Sequence, residues 1–282
     1  MQSTITHDSI SATINHKGAE LFQLSKNNKN YIWKIDELFW NKTSPVLFPI
    51  VGSLKNNSYT LDGNNFQMFR HGFARDFEFN VIEKQKNRIV FSLKSNAEIL
   101  KIYPFEFELQ LIYLVNEKGL TIQYKVKNLS ETSMPFSIGA HPAFAIEGNF
   151  EDYTLEFEKS LNLITHHLQN DLFSGETSEI SLESNTLKLD YCLFEKDAIV
   201  LKNNSTSFVK VYKNAEFQYK VSFKDFPFLG IWTKKNAPFI CIEPWLGIAD
   251  SENSTGNIFN KEGIQILEKD KEYSASFSVE LY

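Results

Sequence analysis

Cysteine, positive charge and long apolar runs are all scarce in this sequence of 282 residues. Only two cysteines occur, Cys192 and Cys241, which is too few for a disulfide scaffold. Each cysteine lies among apolar residues, so we predict that both are buried free thiols. Lys and Arg together number 29 against 35 Asp and Glu, which gives a formal charge of −6. Nucleic-acid recognition needs a basic face, so a nucleic-acid partner is not expected.

Membrane-spanning and export signals are also missing from the sequence. No apolar run approaches the roughly 18 residues that a membrane helix needs. Residues 1–17 are polar and lack the basic start, apolar centre and small-residue cleavage site of a signal peptide. We therefore expect a soluble, cytoplasmic protein with no membrane partner.

Helical periodicity is nearly absent, and an alternation of apolar and polar residues recurs instead. The clearest alternation predicts strands at 105–111 and 120–126, joined as a hairpin by the turn residues at 116–119. The 25 phenylalanines add to this preference, because aromatic residues favour strands. Further strands are predicted at 10–15, 19–25, 31–35, 217–223 and 274–281, and short helical pieces at 36–39 and 96–103.

The alternation also predicts the fold class. It gives each strand one buried and one solvated face, as is typical of antiparallel sheets. Many short strands separated by turn residues favour a sandwich or a barrel. No shift in composition and no Pro-, Gly- or Ser-rich linker marks a boundary, so we expect a single domain over residues 1–282.

The stretch 239–250 contains the first candidate catalytic residue. A short apolar run ends there on Glu243, and Pro244 is expected to interrupt the regular strand ladder directly afterwards. Desolvation at the end of a buried strand raises the pKa of a carboxyl group and makes it a better proton acceptor near neutral pH. The alternative is that Glu243 is a strand-end residue that faces water.

A second candidate group lies at 68–77, where His71 stands among aromatic residues and next to Gly72. If this segment were a strand, His71 and Arg75 would face the same side. A His and an Arg on one face could bind sugar hydroxyls or a phosphate. The alternative is a surface Arg–Asp pair beside a core histidine.

His141 is the third candidate, because it stands between small residues and Pro142. The proline restricts the backbone at His141, and the small neighbours leave room for a ligand against the ring. The alternative is a packed core histidine. The pair His166-His167 lies in a run that we predict to be a loop, and it has no Cys or carboxylate at metal-ligand spacing.

Together, these stretches resemble the aldose 1-epimerase (galactose mutarotase-like) family. The motifs are His-Gly-Phe-Ala-Arg at 71–75, Gly-Ala-His-Pro-Ala-Phe at 139–144 and Glu-Pro-Trp-x-Gly-x-Ala-Asp at 243–250. Residues 48–52 and 229–232 fit a bacterial branch of aldose 1-epimerase-like proteins. The resemblance extends over roughly the whole chain, with the motifs in the family's order.

The resemblance implies a large antiparallel β-sandwich of the supersandwich type, with a cleft for an aldose ring on one sheet face. By motif position, Glu243 would be the general base and His141 the general acid. His71 would hold the sugar near its ring oxygen, and Arg75 would help to position it. A sugar-binding aspartate is expected within 190–197, and Asp197 is our choice.

These residue types suit the chemistry of an aldose 1-epimerase. Interconversion of α and β anomers removes a proton from the C1 hydroxyl and delivers another to the ring oxygen. A carboxylate and an imidazole, with ordinary pKa values of about 4.3 and 6.5, can exchange these protons near neutral pH. The reaction requires no metal and no cofactor, and the sequence has no Gly-rich nucleotide motif. We therefore predict a cofactor-free isomerase of a small-molecule sugar, as a monomer or homodimer.

One departure from the family leaves the substrate open. Ser53 stands where many relatives carry an arginine, and Lys55 would replace it only in part because it lacks the guanidinium fork. Two alternatives follow: a sugar-binding or sensing module without turnover, and a hexose-6-phosphate 1-epimerase. The motif that contains Arg75 resembles the latter branch, whereas the small number of arginines (Arg70, Arg75 and Arg88) favours a free sugar.

Overall fold

A computed structural model describes residues 1–159, 162–202 and 205–282. The described chain is built almost entirely of strands, which are, in chain order, β1 Gln2–His7, β2 Ile10–Asn15, β3 Leu21–Lys26, β4 Lys29–Asn30, β5 Val46–Leu47, β6 Ser58–Leu61, β7 Asn64–Gln67, β8 Asn80–Lys84, β9 Arg88–Lys94, β10 Phe107–Val115, β11 Gly119–Asn128, β12 Met134–Phe136, β13 Ile138–Ala140, β14 Ala143–Ala145, β15 Tyr153–Phe157, β16 Leu163–Gln169, β17 Leu172–Ile180, β18 Thr186–Lys188, β19 Ile199–Leu201, β20 Phe208–Lys213, β21 Glu216–Ser222, β22 Phe228–Trp232, β23 Phe239–Leu246, β24 Gln265–Leu267 and β25 Glu272–Leu281. Short 3-10 helices lie at Lys55–Asn57, Ala74–Asp76, Ile99–Lys101, Phe150–Asp152, Tyr191–Phe194 and Ile258–Asn260.

Two large antiparallel sheets dominate the architecture. One has nine strands in the order β18-β15-β20-β21-β25-β11-β10-β9-β8. The other has eight, in the order β17-β16-β19-β22-β23-β13-β5, with β14 also paired to β23. The strands β1 to β4 form a separate four-stranded sheet. The predicted all-β, antiparallel β-sandwich is confirmed.

The core lies between the two large sheets. Apolar side chains from both of them join in one cluster, to which β10 contributes Leu109 and β23 contributes Ile240, Ile242 and Leu246. Because side chains alternate along a strand, Cys241, Glu243 and Trp245 point to the opposite, outer face of the eight-stranded sheet. That outer face is where the candidate site lies.

The hairpin β10–β11 shows how the alternation leads to structure. Its register runs from Phe107 opposite Asn128 to Val115 opposite Leu120. The side-chain Oδ1 of Asn116 accepts hydrogen bonds from the backbone N–H groups of Lys118 and Gly119, which closes the turn. The hairpin that the sequence predicted at this position is confirmed.

Four local predictions were wrong. Residues 31–35 contain an isolated bridge rather than a strand, and 36–39 form a turn rather than a helical piece. His166-His167 lie in β16, where cross-strand pairing with β17 overrides the polar composition. Cys192 is exposed, because Asp190 caps the 3-10 helix Tyr191–Phe194 and turns that cysteine outward, whereas Cys241 is buried as predicted.

The expectation that Pro244 would interrupt the strand ladder was also wrong. Strand β23 continues through Pro244 to Leu246. The N–H of Ile242 points away from β22 and donates to the carbonyl of Pro142. The backbone nitrogen of Pro244, two residues later, points to the same side of the strand. It therefore faces the gap between β14 and β13, so the missing N–H of Pro244 costs no hydrogen bond of the ladder.

Among the described residues, no helix reaches the length and hydropathy that a membrane span requires.

Candidate active site

A cavity of about 250 Å³ opens on the outer face of the eight-stranded sheet. All five residues that the sequence predicted for the site line it: Glu243, His141, His71, Arg75 and Asp197. Drug-sized ligands occupy cavities of about 300–1,000 Å³, so this volume suits a small molecule rather than a polymer.

The five residues come from distant parts of the chain. Glu243 lies within β23, and His141 lies in the short connection between β13 and β14. His71 and Arg75 belong to the segment between β7 and β8, and Asp197 precedes β19. The sheet therefore holds the Glu243 carboxylate on a rigid strand, while loops carry the other side chains over it.

Glu243 and His141 form a buried pair at the base of the cavity. The Nε2 atom of His141 lies 3.2 Å from Oε2 of Glu243, and the two residues are 8% and 1% exposed. Burial raises the pKa of Glu243 well above its ordinary value. Burial, and then the positive charge of Arg70, lowers the pKa of His141 to about 3. Since the two groups are in contact, they titrate as a pair that carries one proton over a wide pH range.

Two tryptophans fix the ring of His141. The indole of Trp40 stacks on it with a centroid distance of 4.8 Å and an interplanar angle of 29°. Trp232 meets it edge-on, with a centroid distance of 5.8 Å. These contacts hold the imidazole over the carboxylate of Glu243. Trp232 lies in the stretch 229–232 that fits the family, although no role was predicted for it, and Trp40 lies outside all of the motifs.

His71 is not in a strand, so the expectation that alternation would align it with Arg75 was wrong. Its φ is 69°, and the next residues turn into the 3-10 helix Ala74–Asp76. The N–H of Gly52 donates to Nδ1 of His71 over 3.1 Å. Burial, and then Arg70, lowers the pKa of His71 well below its ordinary value, so the ring is neutral.

The hydrogen bond from Gly52 determines the tautomer of His71. A neutral imidazole has one acceptor nitrogen, so Nδ1 accepts and Nε2 carries the proton. Nε of Arg70 also directs its hydrogen at Nε2 of His71 over 3.1 Å, and in a neutral ring this contact and the one from Gly52 cannot both be hydrogen bonds. The backbone N–H cannot move away, whereas the flexible Arg70 side chain can. A ligand that displaces Arg70 therefore meets an Nε2–H donor on His71.

Arg70 is the cavity cation that the sequence did not indicate as a site residue. Its guanidinium donates to Oδ1 of Asp171 over 2.7 Å, and its carbonyl accepts from Arg75 over 2.8 Å. The sequence instead offered Lys55 as a partial substitute for an arginine. That was wrong within the described residues, because the Nζ of Lys55 points to the carbonyl of Ser254 and does not line the cavity.

Asp197, the aspartate that we chose from the sequence, lines the cavity. It has a φ of 99°, and its Oδ1 accepts from the N–H of Ala198 over 2.6 Å. Its negative charge contributes to the raised pKa of Glu243. A non-glycine residue in this conformation is strained, and such strain is concentrated at functional sites.

Trp245 forms part of the cavity wall next to Glu243, and two glycines make room for it. A Cβ at Gly230 would lie 2.5 Å from Cη2 and Cζ2 of the indole, and a Cβ at Gly139 would lie 2.7 Å from Cδ1. Within the described structure, the buried Nε1–H of Trp245 makes no hydrogen bond of regular geometry, although Trp245 is near enough to Glu243 to lower the pKa of that carboxyl group slightly against the effect of burial. Trp245 therefore offers a donor at the cavity that a bound hydroxyl could satisfy.

Replacing Gly230 with alanine is expected to displace this indole. Overpacking of this kind costs about 1–3 kcal/mol, so the free energy of unfolding measured in urea should fall by that amount. A second substitution, Trp245→Leu, removes the clashing ring and should make the alanine nearly neutral in the double variant. If Gly230→Ala lowers the free energy of unfolding equally in the wild type and in the Trp245→Leu variant, the clash with the indole is not the cause of the loss.

A family model for aldose 1-epimerase matches residues 1–280 of the chain. Among curated proteins, the chromosomally encoded protein LacX of Lactococcus lactis subsp. lactis is 38% identical over 248 residues. The match covers 83% of this chain and 83% of LacX. The family resemblance drawn from the motifs is confirmed.

Solved structures agree with this assignment. A galactose mutarotase related enzyme from Lactobacillus acidophilus is 32% identical, with a TM-score of 0.93 over 100% of this chain and 97% of that one. A galactose mutarotase-like protein from Lactobacillus casei is also 32% identical, with a TM-score of 0.94 over the full length of both chains. A galactose 1-epimerase from Lactobacillus acidophilus, covering 100% of this chain and 98% of that one, has a TM-score of 0.72 at 12% identity and shows a shared fold only.

Proposed function

The chain belongs to the aldose 1-epimerase family, and on this basis we propose that it interconverts the α and β anomers of a free aldohexose. One observation carries the proposal. A carboxylate and an imidazole, Glu243 and His141, lie 3.2 Å apart and buried at a cavity of small-molecule size. The C1 hydroxyl and the ring oxygen of an aldose are bonded to the same carbon, so an adjacent base and acid can reach both.

In the proposed mechanism, Glu243 removes the proton of the C1 hydroxyl while His141 donates a proton to the ring oxygen. The bond between C1 and the ring oxygen breaks, and an open-chain aldehyde forms. After rotation about the C1–C2 bond, ring closure returns both protons to their original groups. His71 donates from Nε2 to the sugar near its ring oxygen, and Arg75 and Asp197 position its hydroxyls.

The pair needs no proton from water during turnover. The pKa shifts place the single proton of the resting pair on Glu243, so this proton first crosses the 3.2 Å contact to His141, and in the open-chain state Glu243 again carries a proton. Both arrangements have zero net charge, so burial of the site does not oppose the exchange as it would a net charge. General acid–base catalysis of this kind contributes about 10²–10⁴-fold in rate.

The pH dependence of kcat/KM follows from the pair's single proton. Burial lowers the pKa of His141 to about 3 and raises the pKa of Glu243 well above its ordinary value, so the pair carries a single proton from about pH 3 up to the raised pKa of Glu243. After subtraction of the spontaneous rate, kcat/KM should therefore be flat across this range. A titration centred near pH 4.5, the ordinary value of a glutamate, would show that Glu243 behaves as if it were exposed.

The proposal is tested by the exchange of α and β anomeric signals in NMR spectra of free aldohexoses. We expect at least one sugar to exchange faster than it does spontaneously. The alternative of a binding or sensing module predicts saturable shifts of the sugar signals with no acceleration. Acceleration therefore supports the epimerase, and binding without acceleration would overturn it.

One observation favours the second candidate, a hexose-6-phosphate 1-epimerase. Both Arg70 and Arg75 line the cavity, and a guanidinium fork suits a phosphate. This candidate predicts a higher kcat/KM for the 6-phosphorylated sugar, lost in Arg70→Gln. Arg88→Gln is the matched control, because Arg88 pairs with Glu83 and does not line the cavity among the described residues. A lower kcat/KM for the phosphorylated sugar would favour the free aldohexose.

A further inference from the structure

A cysteine lies directly beside the buried pair of Glu243 and His141. Ligand-type atoms of His141, Cys241 and Glu243 all lie within 4.8 Å of one another, and all three residues are buried. We propose that these three side chains form a binding site for a thiophilic divalent metal ion, for which Zn²⁺ is the probe, and that the bound ion inhibits the protein. This role goes beyond the proposed isomerase function, which requires no metal.

Strand geometry brings the three ligands together. Cys241 and Glu243 are two residues apart on β23, so their side chains leave the same face of the sheet. His141 lies two residues before Ala143, which pairs with Cys241 in the register of β14 and β23. The connection that carries His141 is therefore anchored over these two side chains.

The spacing is close to that of a tetrahedral zinc site. Zinc bonds of about 2.0–2.3 Å place neighbouring ligand atoms roughly 3.3–3.6 Å apart. The separation of 3.2 Å between Nε2 of His141 and Oε2 of Glu243 is close to this ligand spacing. The thiol of Cys241, within 4.8 Å of both, needs a shift of about 1 Å to complete a three-residue site.

The carboxylate oxygen Oε2 of Glu243 provides a second indication. In the part of the chain that the structure describes, the buried Oε2 of Glu243 makes no hydrogen bond of regular geometry, and Nε2 of His141 lies 3.2 Å from it. Buried polar atoms without partners are uncommon and costly, and a cation would satisfy this one. The cavity is lined by His141 and Glu243 and gives an ion a path to these two ligands, whereas the thiol of Cys241 lies buried behind them.

Charge balance supports a divalent ion. Zn²⁺ with a thiolate from Cys241, a carboxylate from Glu243 and a neutral imidazole from His141 has no net charge, which suits a buried position. Binding releases the thiol proton and the carboxyl proton, so affinity should rise with pH. The occupied pair can neither remove nor deliver a proton, so the ion inhibits any acid–base reaction at this site.

Co²⁺ is the spectroscopic probe of the site, because a thiolate bound to Co²⁺ produces an intense near-ultraviolet absorption. The two cysteines provide a matched control. In the variant Cys192→Ser, which loses the exposed thiol, the only remaining thiol is Cys241. We expect this variant to bind one Co²⁺ with the thiolate absorption and to release it when Zn²⁺ is added.

Cys241→Ser should lose the absorption and bind Zn²⁺ at least about tenfold more weakly than Cys192→Ser. If Cys241→Ser does not fold, the Co²⁺ spectrum of Cys192→Ser alone tests whether Cys241 is a metal ligand. Absence of the thiolate absorption in Cys192→Ser, or its persistence in Cys241→Ser, would overturn the proposed metal site.

In the anomer exchange assay, Zn²⁺ should abolish turnover by the wild type and a chelator should restore it. The spectrum tests the site even if no sugar is turned over.

Discussion

Replacing Glu243 with glutamine is expected to reduce protein-dependent anomer exchange by about 10²–10⁴-fold, to the level of the spontaneous reaction. Glutamine keeps the shape of the side chain but cannot accept the proton of the C1 hydroxyl. Exchange rates of the wild type and the variant at equal concentration measure the effect. Full activity in Glu243→Gln would exclude this residue as the base.

The same variant should keep its fold. Folding raises the pKa of Glu243, so between the unfolded and folded values the folded chain retains a proton that the unfolded chain has released. The free energy of unfolding therefore falls as pH rises through this window. Glutamine does not titrate, so Glu243→Gln should be at least as stable as the wild type at pH 8 in urea unfolding. Glu262→Gln, which removes an exposed partner of Lys202, is the control and should change neither activity nor this pH dependence.

Replacing Asp250 with asparagine is expected to produce the largest loss of stability, about 3–5 kcal/mol in the free energy of unfolding. Asp250 and Lys261 form an ion pair of 2.9 Å, and their side chains are only 3% and 2% exposed. Oδ2 of Asp250 also accepts the backbone N–H of Lys55 over 2.9 Å. The amide would leave the ammonium of Lys261 buried without a counter-charge. Urea unfolding measures the loss.

An exposed ion pair provides the control for this stability prediction. Lys125 and Glu272 lie 2.8 Å apart, but both are partly solvated, so Glu272→Gln should cost at most about 1 kcal/mol. The double variant Asp250→Leu with Lys261→Met removes both buried charges and should recover most of the lost stability. A loss in Asp250→Asn no larger than that in Glu272→Gln would contradict the importance of burial.

The sequence predicted the strands well where alternation was long. Over residues 107–111 of β10 and 120–126 of β11, every apolar residue is buried and every polar residue is partly exposed, so the alternation specified the hairpin. Short polar segments were harder to predict, because pairing with neighbouring strands determined their structure. His166 and His167 became part of β16 through contacts with β17, which no local pattern encodes.

The candidate site was predictable where its residues stand in motifs. Glu243, His141 and His71 each lie in a motif, and the structure brings all three to one cavity. Arg70 was not selected, although it directly precedes His71, because its position in the cavity depends on the local turn and on Asp171. Trp40 was not selected either, since its contact with His141 joins residues far apart in the chain.

The anomer exchange rate as a function of protein concentration is the decisive test of Glu243 and His141 as an acid–base pair. We expect a rate that rises in proportion to wild-type protein for at least one aldohexose. For Glu243→Gln we expect no dependence on protein concentration. Wild-type rates that stay at the spontaneous value for every sugar that binds would contradict the assignment of Glu243 and His141 as an acid–base pair.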